Sequence, residues 1–111
     1  MALAVIIGAF AAHALKARLS PEMHQVFEVG VRYHVYHALG MFVIAWLSTI
    51  RSTPLLNAAG ACFVAGTILF SGVLYAYAIT SLKPLAMLAP VGGSLFIAGW
   101  VMVCLAAAQP R

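Results

Sequence analysis

The chain has 111 residues, of which 65% are apolar and 7% charged, with a mean hydropathy of +1.06. That leaves too little polar side chain to coat a water-soluble domain, which carries roughly 25% charged residues. The formal charge of +4 is spread over single cations between apolar runs, Lys16, Arg18, Arg32, Arg51, Lys83 and Arg111, and this excludes the contiguous basic footprint that nucleic acid requires. A single membrane domain over residues 1–111, with the lipid bilayer as its partner, is the expectation.

The first apolar run, residues 2–15, is short for a span, because about 20 residues are needed to cross roughly 30 Å of hydrocarbon. It lacks the basic start and small-residue cleavage site of a signal peptide. It therefore reads as most of a first spanning helix that has lost some upstream residues.

Residues 20–32 follow as a short amphipathic helix. Ser20 supplies an oxygen for free amides, Pro21 has no N–H to strand, and Glu22 faces the positive end of the dipole. Met23, Val26, Phe27 and Val31 lie near one face, and His24, Glu28 and Arg32 on another, with Glu28 and Arg32 spaced as a helical ion pair. Such a segment suits the membrane interface, and Gly30 offers a bend before the next span. From Tyr33 polarity fades, and residues 33–50 read as a second span closed by Arg51 and Pro54.

A third span over 55–81 and a fourth over 84–108 are separated by a tight turn at Lys83 and Pro84, with a kink expected at Pro90. The predicted fold is thus all-α: a four-helix transmembrane bundle with a short amphipathic interfacial helix between the first and second spans. Lys16, Arg18, Arg32 and Lys83 fall on the first and third loops, which the positive-inside rule places in the cytoplasm with both termini outside.

In lipid, close helix contact falls to small residues. Ala58, Ala65 and Gly72 recur every seven residues in the third span, and Gly92, Gly99 and Ala106 in the fourth. The two sets mirror each other about the intervening turn, so an antiparallel hairpin would seat Gly72 against Gly92, Ala65 against Gly99 and Ala58 against Ala106. A seven-residue period predicts a shallow left-handed seam.

The stretch "YHVYHALGM" concentrates the polar chemistry. His34, His37 and Met41 share one side of the second span, a pattern that would suit copper or haem if a further ligand converged on it. The preferred reading is different: His13, at the end of the first helix, joins His37 and a tyrosine, Tyr33 or Tyr75, in a hydrogen-bonded cluster that fastens helix ends together. Ser71, one turn before Tyr75, can answer its hydroxyl. Trp46, Tyr77 and Trp100 read as interfacial or lipid-facing aromatics, and Cys62 and Cys104 as inert buried thiols. No paired carboxylates, activated serine or phosphate loop occurs in the sequence, so no enzyme and no cofactor are expected.

Four blocks in order, "GAFAAHALK", "VRYHVYHALGM", "LFSGVLYAYAIT" and "LAPVGGSLFIAGW", resemble the small membrane family catalogued as domain of unknown function 423. The resemblance covers nearly the whole chain. It implies a four-helix protein of the bacterial inner membrane with no assigned reaction or cofactor. The family's histidines in GAFxAH and YHAL match His13 and His37, its start is longer than the one here, and a glutamine is common where this chain has His34. The leading expectation for function is a structural, accessory or assembly subunit whose partner is another membrane protein or further copies of itself. The alternatives are a module that binds or transports a lipid, quinone or small solute, and a His/Met metal or haem site.

Overall fold

The computed structural model describes residues 1–110 and, among them, contains helices and no strand. Helix α1 runs Ala2–Leu15, α2 Pro21–Ile50, α3 Pro54–Thr80 and α4 Lys83–Ala108. Consecutive helices are antiparallel and form a thin slab, with Cα extents of 52 × 26 × 14 Å. Helices α3 and α4 are each long and apolar enough to cross a bilayer. Helix α1 is a shorter apolar helix, and α2, although 30 residues long, is diluted by His, Tyr, Glu and Arg.

Local chemistry accounts for the helix starts. The Ser20 hydroxyl accepts from the Met23 amide at 3.2 Å with Pro21 in the first turn, and the Thr53 hydroxyl accepts from the Leu56 amide at 3.2 Å ahead of Pro54. Helix α3 stops at Ser81, whose φ of 58° is left-handed and whose amide returns to the Tyr77 carbonyl. In α4 the opening turn Lys83–Ala86 is separated from Ala89–Ala108 by an irregular turn. Pro90 has no N–H with which to continue the ladder there.

The expected division of α2 into an interfacial helix over 20–32 and a span over 33–50 does not occur: Pro21–Ile50 is one continuous helix. Its buried stripe, Phe27, Gly30, His37, Gly40 and Ile44, passes without interruption from the polar half into the apolar half. A change of outward polarity does not break a backbone whose inward face keeps packing. Gly30 is not a bend but a point of close approach, since a Cβ there would lie 2.8 Å from Tyr75 Cε1.

Two cores result. The larger joins Ile44, Leu56, Ala59, Phe63, Phe96, Val103 and Ala106 of α2, α3 and α4. The smaller seats α1 on α2 and the end of α3 through Ala11, Leu15, Phe27 and Ala78. Both α1 and α3 contain π-helical turns, Ala11–Leu15 and Thr67–Gly72, a widening that sequence periodicity does not reveal.

Candidate functional site

The chemistry gathers at His37, near the middle of α2, where only 4% of the residue is exposed. Its Nδ1 lies 2.7 Å from the Tyr33 carbonyl oxygen one turn back, and its Nε2 lies 3.0 Å from Trp100 Nε1 of α4. A carbonyl can only accept and an indole N–H can only donate. His37 is therefore the neutral tautomer with the proton on Nδ1, and both ring nitrogens are engaged. The ring stacks on Phe96 with centroids 3.4 Å apart and planes at 7°, and meets Phe63 edge-on at 5.1 Å.

Glycines make this packing possible. Added Cβ atoms at Gly40 and Gly99 would fall 2.7 and 2.6 Å from opposite edges of the Phe63 ring, and one at Gly66 would fall 2.6 Å from Phe96. Phe63, fully buried, is thus wedged between glycines of α2 and α4, while Phe96 sits against a glycine of α3. At Gly92 the neighbour is backbone: an added Cβ would meet Phe70 N at 2.5 Å.

The residues of the expected seam are placed differently on the two helices. Gly92, Gly99 and Ala106 of α4 are buried, but Ala58 and Gly72 are exposed and Ala65 only half-buried. The buried seven-residue set in α3 is Ala59, Gly66 and Val73. The hairpin register also differs, with Gly99 opposite Phe63 and Gly92 opposite Phe70. A shift of one residue turns a helix face by about 100°, and large rings opposite glycines satisfy α4 better than small residues opposite small ones.

His13 does not join His37. It is exposed, because Ala11 and Leu15 take the inward positions of the last turn of α1. The end of α1 lies beside His24, whose Nε2–H donates to the Ala11 carbonyl at 3.3 Å, about 20 Å along α2 from His37. Tyr33 contributes its carbonyl to His37, and Tyr75 hydrogen-bonds to His34 Nδ1 at 3.0 Å rather than to His37 or Ser71. Ser71 is fully buried with its hydroxyl unpartnered among the described residues. Glu28 faces His24 at 3.8 Å instead of pairing with Arg32. Cys62 is half-buried and Cys104 exposed.

His34, His37 and Met41 do border one groove, of about 430 Å³, between α2 and α3. The Trp100 N–H occupies the lone pair of His37 that a metal would need, and no three His, Cys, Asp or Glu side chains converge among the described residues. Sequence reasoning missed Trp100, Phe63 and Arg51. A tryptophan two turns inside an apolar helix must find an acceptor for its N–H, and that signal was available. Arg51 Nη1 donates to the Ala106 carbonyl at 3.0 Å and to that of Gln109, closing the carbonyl end of α4 where a cation is favoured.

A family profile described as protein of unknown function (DUF423) matches residues 7–93. The chain is 42% identical to the UPF0382 membrane protein YwdK of Bacillus subtilis over 96% of its own length and 88% of that protein's. It is also 42% identical to a UPF0382 membrane protein of Staphylococcus haemolyticus, over 88% of this chain and 80% of the relative. A UPF0382 membrane protein of Haemophilus influenzae is 33% identical over 87% of this chain and 77% of its own. No solved structure is a significant match.

Proposed function

Because the chain belongs to the DUF423 family of membrane proteins of unknown function, we propose from its own geometry that it is a structural, accessory or assembly subunit of a larger complex in the bacterial inner membrane. In this reading all four helices lie in the bilayer, with the first and third loops cytoplasmic, and the protein is not an enzyme. The observation that carries it is the state of His37: its nitrogens are spent on the Tyr33 carbonyl and the Trp100 indole. The polar centre ties α2 to α4 and leaves no free base or ligand lone pair at that point.

The outward position of Ala58 and Gly72 on α3 agrees with this role. Small residues facing lipid allow the helix of another protein to approach closely. Capture of the tagged protein in mild detergent, followed by mass spectrometry, should bring down a membrane protein in fixed stoichiometry. Isolation only as a lone homo-oligomer would overturn the accessory reading.

A further inference from the structure

Helices α2 and α4 both rest on α3 without closing fully on each other, and a cleft of about 650 Å³ remains between them. That volume lies in the range of small-molecule sites. Tyr33 and Tyr36 of α2 form one wall, Gly93, Ser94 and Trp100 of α4 the other, and Phe70 of α3 lies between them. The Tyr33 and Phe70 ring centroids are 4.8 Å apart. Phe70 lies ten residues inside the Thr80 end of α3, about 15 Å, and Ser94 is close to the middle of α4. If α3 and α4 cross the membrane, this cleft lies near mid-depth.

The two tyrosines are open to the cleft, at 37% and 49% exposure, and no hydrogen bond ties either phenol hydroxyl to another described residue. Ser94 donates to the Pro90 carbonyl at 2.8 Å, which leaves its oxygen lone pairs free. Unpaired hydroxyls in hydrocarbon are costly. An occupant that answers the two free phenol O–H donors must carry hydrogen-bond acceptors and yet be neutral enough to sit at that depth. Phospholipid headgroups stay at the surface, and acyl chains carry no acceptor so deep. An aromatic floor and walls favour a flat ring.

We propose that the cleft between α2 and α4 binds a neutral, ring-bearing lipid with carbonyl acceptors, of the isoprenoid quinone class, through the hydroxyls of Tyr33 and Tyr36. The proposal concerns binding alone. It goes beyond the accessory role and rests only on the part of that reading in which α3 and α4 cross the bilayer.

The full chain carries two tryptophans, so Trp46→Phe leaves Trp100, on the cleft wall, as the sole fluorophore. In vesicles of phosphatidylethanolamine and phosphatidylglycerol, decylubiquinone should quench Trp100 saturably. Decylbenzene, which has the ring and chain without carbonyls, should not compete. Replacing Tyr33 and Tyr36 together by Phe keeps the rings and removes only the hydroxyls, and should raise the half-saturating concentration about tenfold. Quenching that rises linearly without saturation, or that is unchanged in the double variant, would overturn the site. Lipids spin-labelled at graded depths separate the two readings: strongest quenching of Trp100 by mid-chain labels supports the depth assignment, whereas strongest quenching by headgroup labels would overturn the spanning placement and the choice of ligand with it.

Discussion

The α3–α4 hairpin with the Ile50 half of α2, and the seat of α1 on the Pro21 half of α2, are built in different ways. In the first, rings enter spaces that only glycine leaves open: Phe63 against Gly40 and Gly99, Phe96 against Gly66. In the second, Ala11 and Leu15 lie on Phe27 and Ala78, supported by a long hydrogen bond from His24 to the Ala11 carbonyl. Between α1 and α2 the glycine approach is less tight than in the hairpin and meets only a side-chain methyl, with Val31 Cγ1 at 3.2 Å from a Cβ on Gly8. Hydrophobic burial drives little in lipid, so tight contact and interhelical hydrogen bonds must supply the cohesion. On this ground the hairpin half is expected to carry most of the stability and α1 to open first.

The largest break should come at the wedge. Phe63→Ala empties the space between two glycines and should cost about 3–5 kcal/mol, read as loss of folded protein in detergent unfolding. A destabilisation below about 1 kcal/mol would remove the hairpin's primacy. Next, Gly92→Ala should destabilise by about 2 kcal/mol or more, since the obstacle is Phe70 backbone, which cannot turn aside. Gly72→Ala, whose nearest neighbour would be 3.8 Å away, should be neutral or slightly stabilising. The same contrast extends to larger side chains: Gly99→Leu should disrupt folding far more than Gly60→Leu, whose Cβ would meet only Met41 Cε at 4.0 Å.

Trp100→Phe keeps a ring but leaves His37 Nε2 without its donor, for an expected loss of about 1–2 kcal/mol. His37→Ala in the same background should then add less than it does in the wild type, because both changes remove one interaction. A double-mutant cycle with fully additive effects would sever the proposed tie between α2 and α4. A small effect is also expected at Glu28→Ala, within about 0.5 kcal/mol, because its contact with His24 is long and exposed. Hydrogen exchange offers a view of both regions together: amides of α1 should exchange before those of α3 and α4, and the reverse order would invert the comparison.

Much of the helical pattern was legible, and for local reasons. Ser20–Pro21 and Thr53–Pro54 mark starts by side-chain and proline chemistry that acts within one turn. Gly92, Gly99 and Ala106, spaced by seven, are all buried in α4. The misassigned face of α3 shows where such reasoning stops. Ala58, Ala65 and Gly72 have the same period as Ala59, Gly66 and Val73, and nothing local distinguishes one set from its neighbour 100° away. The choice depends on Phe63 finding Gly99 and Gly40, contacts between residues far apart in the chain.

The histidines divide along the same line. That His37 belongs to a polar centre could be read from its place in "YHVYHALGM", and that the Trp100 N–H needs an acceptor from its place in α4, but not that these two meet, nor that His13 lies apart from them. Composition and periodicity by themselves determined that this chain is helical and made for lipid, because those properties are sums over residues and short-range spacing. Tertiary packing alone decided which face of α3 is inward, that α2 runs unbroken through its change of polarity, and that His37 is neutral. Each of these depends on the shape and hydrogen-bonding direction of a group brought in by another helix.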